Sequence, residues 1–305
     1  MMKGSLTESA VRAEGLVKSY GKVKALGGVS LDVRHGETFG IIGPDGAGKS
    51  TLFRLLTSLL VPDEGTAQVE GLDTVRDYRE IRKIIGYMPG KFSLYQDLTV
   101  EENLTFFATL FGTTIQENYH LIEDIYKQIE PFKTRMAGKL SGGMKQKLAL
   151  CCALIHKPKV LFLDEPTTGV DPVSRKEFWN MLGRLKNDGI TILVSTPYMD
   201  EAGRCDRIAL IRNGEFLTVN SPAGIIAEFP DRLYSVRSDR MHNLLGDLRA
   251  FHGTIRAFSF GDSVHLSTNG EADLEELGKF LQDRKHNNVT INAIQPSVED
   301  CFMRI

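Results

Sequence analysis

The 305-residue chain has 42% hydrophobic and 25% charged residues, which is ordinary for a globular protein, and its length predicts two domains or one large domain with an appendage. With 37 basic residues against 39 acidic ones, the composition gives no electrostatic support for a nucleic-acid partner. No apolar run approaches the roughly 18 residues of a membrane-spanning helix, and the four cysteines lack metal-ligand spacing or a disulfide framework.

The first elements lead to a glycine-rich loop. Residues 11–33 predict short strands around a turn at Tyr20, and the apolar run at 38–42 predicts one buried strand. Next comes the phosphate-binding pattern, in which two glycines with four residues between them precede Lys and Ser or Thr. Its members here are Gly43, Pro44, Asp45, Gly46, Ala47, Gly48, Lys49, Ser50 and Thr51.

Strand, glycine loop and helix stand in the order that phosphate binding requires. The glycines let successive backbone N–H groups curl around an anion, and the helix N-terminus adds partial positive charge. We expect Lys49 to neutralise the β- and γ-phosphates and the Ser50 hydroxyl to hold Mg²⁺. A glycine-rich turn that only matches the pattern is the alternative, but the flanks favour a nucleoside triphosphate site. On the helical flank, Leu52, Leu55, Leu56 and Leu59 fall on one face.

A helical insert occupies the middle of the chain. Residues 62–75 predict a loop and a strand, and from Asp97 to Lys139 the pattern is helical, with a capped start at Thr99. A second long helix is predicted over residues 145–155. It leads into an apolar strand at residues 160–163.

Two carboxylates follow that strand. Asp164 and Glu165 stand at its C-terminal end, the edge at which open α/β sheets bind ligands. Two surface carboxylates capping a helix are the alternative. Next to a phosphate loop we favour a catalytic pair, because Mg²⁺ needs a second protein oxygen and the attacking water needs a base. Asp164 is expected to hold Mg²⁺ through water, and Glu165 to position and polarise the attacking water.

Four motifs in order carry a family resemblance. After the phosphate loop come LSGGM at residues 140–144, LDEP at 163–166 and GVD at 169–171. Over residues 11–228 the chain resembles the ATP-binding subunit of an ABC transporter of the drug-exporter (ABC-2) type, whose membrane subunits are separate chains. The resemblance implies ATP and Mg²⁺ as cofactors and a transmembrane permease subunit as partner. It also implies a location on the inner, cytoplasmic face of the membrane.

The resemblance also implies a second ATP-binding subunit, as homodimer or heterodimer. In a head-to-tail dimer each ATP lies between one chain's phosphate loop and the other chain's signature. Ser141, Gly142 and Gly143 would then contact ATP of the partner chain, and Asp171 would help to join the two sites. Tyr20 stands where the family has an aromatic residue that stacks on adenine, although a tyrosine that only flanks a core strand is the alternative.

Two positions depart from the family pattern. Gly90 replaces a Gln that reaches Mg²⁺ and water, and Gln96 is out of register to substitute for it. Pro197 replaces a His that bonds the γ-phosphate, and proline has no donor at all. Met144 replaces a common Gln, a minor change. We therefore expect the site to bind ATP and to cleave it slowly, unless water or neighbouring side chains substitute.

The predicted fold class is α/β: a P-loop NTPase with a RecA-like core, an antiparallel β subdomain and a helical insert. After Phe229 the pattern resets to β-α-β-β-α-β, which predicts a small α+β ferredoxin-like unit. The predicted organisation begins with a flexible N-terminus at residues 1–10. An ABC nucleotide-binding domain follows at residues 11–228, with a helical subdomain at 97–144, and a C-terminal accessory domain occupies residues 231–305.

The function predicted from the resemblance is an ATPase subunit that drives a separate transmembrane subunit, in multidrug export. The insert, residues 97–139, and the loop at residues 88–94 should form the groove that grips that subunit. One alternative is a non-catalytic ATP clamp within a heterodimer. Another is a soluble ABC ATPase acting on ribosomes or nucleic acid, although such relatives usually carry two nucleotide domains or a long basic or coiled segment.

Overall fold

The computed structural model describes residues 9–270 and 272–304, and the chain divides after Pro222 into two units. Strands of the first unit are β1 (Ser9–Tyr20), β2 (Val23–Arg34), β3 (Thr38–Ile42), β4 (Glu64–Val69), β5 (Leu72–Asp73), β6 (Ile85–Met88), β7 (Val160–Asp164), β8 (Thr191–Thr196), β9 (Arg207–Arg212) and β10 (Glu215–Asn220). Its α-helices are α1 (Lys49–Leu56), α2 (Tyr78–Ile84), α3 (Val100–Leu110), α4 (Tyr119–Ile129), α5 (Gly142–Leu154) and α6 (Pro172–Asn187).

The main sheet has six strands in the order β10-β9-β3-β8-β7-β6. Only β9 and β10 pair antiparallel; the other neighbours are parallel. Strands β3, β7 and β8 are buried along their whole length, which explains why their sequences are mainly apolar. A second, antiparallel sheet has the order β2-β1-β4-β5. The predicted RecA-like core and antiparallel subdomain are confirmed.

The register of the main sheet brings four loops to one edge. Ile42 pairs with Thr196, Asp164 with Ser195, and Met88 with Leu163, so β3, β6, β7 and β8 end side by side. Because these strands are parallel, the loops that follow them leave from the same edge of the sheet.

The sequence predictions err at several element boundaries. Helix α1 ends at Leu56, and Ser58 turns the chain with a positive φ of 58°, so Leu59 is 49% exposed instead of lying on the buried face. Helix α5 begins at Gly142 rather than at residue 145, because the Ser141 hydroxyl caps it. Neither α2 nor β6 is predicted from the sequence.

The helical insert has a firmly anchored start. Thr99 and Glu102 form the capping box that the sequence predicted for α3. Next to it the fully buried Asn103 accepts from the Tyr95 amide and donates to the Tyr95, Leu98 and Thr99 carbonyls. These hydrogen bonds satisfy the buried side-chain amide of Asn103, as a buried polar group requires. They also hold the loop before α3 against the helix.

The second unit begins within the short helix α7 (Pro222–Ala227). Its elements are β11 (Arg232–Arg237), α8 (Met241–Arg249), β12 (Thr254–Phe260), β13 (Ser263–Thr268), α9 (Leu274–Asp283), β14 (Thr290–Ala293) and α10 (Val298–Arg304). The sheet order is β12-β13-β11-β14 with every pair antiparallel, which is the ferredoxin-like arrangement. This prediction is confirmed.

Two buried histidines stabilise the second unit. His265 Nδ1 lies 2.6 Å from Oδ1 of Asp300. The other carboxylate oxygen of Asp300 accepts a hydrogen bond from the Ser297 hydroxyl at the start of α10. His286 bridges Ser238 and Asp247, with 2.8 Å to each. These contacts join β13 to α10 and the segment after α9 to α8 within this unit.

The predicted domain limits stay predictions. Of the N-terminal segment predicted to be flexible, residues 1–8 lie outside the described residues, while Ser9 and Ala10 begin β1. Across the described residues, no helix combines the length and apolarity needed to cross a bilayer.

Candidate active site

The loop between β3 and α1 lies tightly against its surroundings. A Cβ atom on Gly43 would stand 2.2 Å from the Ile211 carbonyl oxygen, which forbids any larger residue. Gly48 has a φ of 104°, and a Cβ there would stand 2.5 Å from the Ala25 oxygen. Glycine is therefore required at both ends of the loop, by space at Gly43 and by space and backbone conformation at Gly48.

Helix α1 presents uncapped amides to this loop. Its N-cap residue is Gly48, and no side chain caps the helix. The first-turn N–H groups have no acceptor within a helix, so they and the positive end of the helix favour an anion. Ser50 lies in this first turn, half-buried. These features fit the triphosphate and Mg²⁺ that the sequence predicts.

Lys49 carries the positive charge of the site, although it is only 3% exposed. Its Nζ donates to the carbonyl oxygens of Gly43 and Pro44 at 2.8 and 3.0 Å. The third contact is with Glu165, whose Oε1 lies 3.1 Å from Nζ. An ammonium group has three N–H donors, so Lys49 joins the phosphate loop directly to the predicted base.

Ser195 orients the acidic pair, and the sequence analysis missed it. Its hydroxyl donates to Oδ1 of the buried Asp164 at 2.6 Å. The Glu165 amide in turn donates to the Ser195 carbonyl and approaches its Oγ, at 3.1 and 3.0 Å. Glu165 has a φ of 51°, a strained conformation that is common in active sites. A serine in the otherwise apolar run of β8 was the available signal.

The two departures from the family pattern occupy different places at this edge. A Cβ on Gly90 would stand 3.1 Å from the Asp164 carbonyl oxygen and 3.8 Å from the Glu165 Cβ, so position 90 lies beside the acidic pair. Gln96 instead lies against Gly138, where its carbonyl accepts an amide at 2.9 Å. Pro197 directly follows β8.

The signature residues and Asp171 form a second cluster. A Cβ on Gly143 would lie 3.2 Å from the Ser174 hydroxyl, so the start of α5 packs closely on the start of α6. Ser141 caps α5 by accepting from the Met144 amide at 3.4 Å. Asp171 caps α6 by accepting from the Val173 and Ser174 amides. The N-termini of α5 and α6 therefore lie next to each other.

Tyr20 ends β1 and is 46% exposed. This exposure is compatible with stacking on adenine and equally with a tyrosine that only flanks the core. The roles predicted for Tyr20, the phosphate loop, the acidic pair and the signature stay predictions.

A cavity of about 230 Å³ lies between the core and the helical insert. Its walls include Met88 at the end of β6, Leu94 from the loop that follows, and Phe107 and Phe111 from the insert. The His156 ring stacks on Phe111 with 3.8 Å between ring centres. Burial lowers the pKa of His156, so this wall is uncharged at neutral pH. We call this cavity the insert groove.

Exposed apolar side chains lie on the insert and the loop before it. Tyr95 and Phe106 contact each other edge to face at 4.9 Å, and they are 51% and 40% exposed. Leu110, in the same helix as Phe106, is 63% exposed. A patch of this kind is typical of a protein-binding surface.

Comparison with known proteins gives one family. The model of the ABC transporter family matches residues 26–168. The chain is 37% identical over 308 residues to the probable multidrug ABC transporter ATP-binding protein YbhF of Escherichia coli K12, covering 98% of this chain but 52% of that protein. The chain thus spans about half the length of this relative. It is 34% identical to the Nod factor export ATP-binding protein I of Rhizobium sp. N33, with 98% of both chains covered.

A solved structure shares the fold of the first unit. It is the dimeric ATP-binding cassette MJ0796 in a post-hydrolysis state bound to ADP and Pi. The TM-score is 0.63 at 27% identity, with 69% of this chain and 98% of that chain covered.

Asp171 gives a pH-dependent prediction. The Ser174 amide is the main cause that holds the pKa of Asp171 below its ordinary value of 3.8, and the Val173 amide adds to it. Because the folded pKa is the lower one, the stabilisation is complete above pH 3.8 and is lost as the pH falls through the folded value. Asp171→Ala should therefore lower the Tm at pH 7, with a difference from the unaltered chain that shrinks below pH 3.8.

The single tryptophan, Trp179, lies buried in α6 and reports the transition by fluorescence. Asp188→Ala is the control, since a carboxylate at the C-terminal end of the same helix opposes the helix dipole. This control should leave the Tm unchanged or raised. A Tm difference for Asp171→Ala that stays constant down to the acid transition contradicts the capping interpretation.

Proposed function

The chain belongs to the ATP-binding proteins of ABC transporters, and from this premise we propose that it binds and hydrolyses ATP to drive a separate membrane-spanning subunit in export. The resemblance drawn from the motifs is confirmed. The observation that carries the proposal is the contact of Lys49 with both the phosphate loop and Glu165. It unites the anion site and the predicted base in a single pocket.

The residues have separate tasks in this proposal. The loop amides and the start of α1 hold the phosphates, and Lys49 neutralises their charge. Ser50 and Asp164 hold Mg²⁺, and Ser195 keeps the Asp164 carboxylate in one orientation. Bound Mg²⁺–ATP supplies the phosphoryl group and the charge of the metal. Glu165 positions the attacking water molecule and accepts a proton from it.

A second chain would complete each site. The solved cassette MJ0796 is dimeric, and in the proposed head-to-tail dimer Ser141, Gly142 and Gly143 approach the ATP held by the partner. Their placement at the N-terminal end of α5, packed on the start of α6, supports this role because a helix N-terminus favours an anion. Asp171 would lie near the junction of the two sites.

The chain's own site is proposed to hydrolyse ATP slowly. Position 90 lies beside Asp164 and Glu165, yet glycine offers no side chain to water there. Pro197 offers neither a side-chain nor a backbone donor. Loss of one preorganised donor costs about 10²–10³ in rate, and two such losses need not multiply. The set that this chain lends to a partner, Ser141 to Gly143, is intact. This asymmetry favours a heterodimer with a more complete ATPase, whose ATP would be hydrolysed against the signature of this chain; a non-catalytic ATP clamp is the alternative.

The partner on the membrane side is proposed to bind in the insert groove. A cavity of about 230 Å³, whose walls are mainly apolar and include one cation, Arg82, lies beside an exposed aromatic patch and suits an apolar anchor residue on a short helix or loop. Such docking would hold the chain on the inner face of the membrane. One relative is named for multidrug transport and the other for Nod factor export, so we propose export and leave the cargo open. Neither name favours action on ribosomes or nucleic acid.

Calorimetry with Mg²⁺–ATP tests the binding site. Lys49→Ala should weaken the affinity about 10–100-fold, because it removes charge-assisted bonds to the phosphates. Lys83→Ala is the control, because Lys83 lies on the exposed surface of α2 and pairs with Glu80. It should leave the affinity within about twofold. If the unaltered chain shows no affinity for Mg²⁺–ATP, the proposed function is wrong.

Turnover measurements test the slow site. The double variant Gly90→Gln with Pro197→His should cleave ATP at least about tenfold faster than the unaltered chain, because it restores two donors at the acidic pair. Adding Glu165→Gln should abolish that gain and supplies the blank. Brisk Glu165-dependent turnover by a homodimer of the unaltered chain would remove the idea of a slow site, while ATP binding would stand.

Surface variants test the insert groove. Phe106→Glu or Leu110→Glu should release the chain from native membranes in a sedimentation assay, because each places a charge on the proposed docking patch. The ATP affinity should stay within about twofold. Ile255→Glu changes an apolar residue of similar exposure, 45%, in the second unit and should leave sedimentation unchanged. Equal release by all three variants would reject the groove as the docking site.

A further inference from the structure

Glu201 is a buried carboxylate beside the active site that the proposed mechanism does not use. It lies in the 3-10 turn Met199–Arg204 after β8 and is only 3% exposed. Burying a carboxylate is costly unless hydrogen bonds and opposite charge compensate it. The groups that surround Glu201 therefore indicate what it is for.

Both oxygens of Glu201 accept hydroxyl hydrogen bonds from buried threonines. Oε1 accepts from Thr167 at 2.8 Å and Oε2 from Thr196 at 2.6 Å. These two hydroxyls belong to residues that are 1% and 0% exposed. The carboxylate thus forms a short bridge between the segment after β7 and the end of β8.

The two bridged segments carry the chemistry of the site. Thr167 follows Glu165 by two positions, in a turn closed by a hydrogen bond from the Thr168 amide to the Glu165 carbonyl at 3.2 Å. Thr196 immediately precedes Pro197, and its carbonyl accepts the Gly43 amide at 3.3 Å. Glu201 therefore lies one hydrogen bond from the loop of the base and one from the strand end beside the phosphate loop.

Arg175 extends the bridge to α6. Its Nε lies 3.8 Å from Glu201 Oε1, and its guanidinium stacks over the Tyr198 ring at 4.2 Å. Helix α6 begins after Asp171, the residue proposed to meet the second chain. The same carboxylate therefore contacts both the turn after the base and the helix that Asp171 caps.

We infer that Glu201 is a positioning residue for hydrolysis, which fixes the Glu165 turn against the end of β8. This inference rests on the proposed ATPase function. The bridge carries particular weight in this chain, because Pro197 has no donor with which its own loop could be oriented. Without the bridge, the Glu165 carboxylate could still act as a base, but its position relative to the phosphates would no longer be fixed. A displacement of about 1 Å can lower the rate about 10²-fold.

Single-turnover ATP cleavage by the full chain is the test, since protein in excess makes slow rates measurable. Glu201→Ala should lower the rate about tenfold or more, while calorimetry gives a Mg²⁺–ATP affinity within about twofold. Glu201→Gln should retain most of the rate. Its amide oxygen can accept from Thr196, and its NH₂ can donate to the Thr167 hydroxyl.

Glu37→Gln is the matched control. Glu37 is also a buried carboxylate, 6% exposed, and it accepts from the Arg34 amide and pairs with Arg207 away from the base. Its substitution should leave the cleavage rate unchanged even if it lowers the Tm. If Glu201→Ala does not fold, Thr167→Val, which removes one hydroxyl of the bridge, takes its place under the same criterion.

An unchanged rate in Glu201→Ala, or an equal loss in the Glu37→Gln control, would overturn the inference. An unaltered chain that binds no ATP, or cleaves none in a manner dependent on Glu165, would instead mean that the proposed ATPase function fails. The two failures are therefore distinguishable by the unaltered chain alone.

Discussion

The parallel pairing of β3, β7 and β8 is the constraint on which the rest of the site depends. Their register ends these strands side by side, so the loops after them meet at one edge. Lys49 follows the first of these strands and Glu165 the second, and their charged atoms lie 3.1 Å apart. The proposed chemistry needs this meeting, because residues more than a hundred positions apart in the chain must share one pocket.

Buried polar side chains then fix the details at that edge. The Ser195 hydroxyl orients Asp164, and Glu201 bridges two threonines that flank the catalytic segments. A half-satisfied polar network in a low-dielectric interior would be costly, so each of these groups specifies one arrangement of loops. The helix-capping residues Ser141 and Asp171 act in the same way at the proposed dimer surface.

In the proposed function, the site combines a complete anion cradle with an incomplete set of donors for hydrolysis. The cradle depends on backbone geometry, which the glycines secure. Hydrolysis depends on side-chain donors, and Gly90 and Pro197 supply none. The pocket can therefore bind a nucleotide tightly and still cleave it slowly, because the two properties depend on different groups. Under that proposal, the chain would pair with an unlike ATP-binding subunit, and ATP binding would close the pair.

By itself the sequence determined the family, the phosphate loop, the acidic pair and the two positions that lack a donor. These are local patterns, in which neighbouring residues create the signal. Local patterns misplaced two helix ends: α1 stops before Leu59, and α5 begins earlier than predicted. A positive φ decides the first of these ends and a capping hydroxyl the second. Only the tertiary structure decided that Ser195 serves Asp164 and that Glu201 joins distant threonines. Such contacts arise from strand register and burial, and no spacing along the chain encodes them.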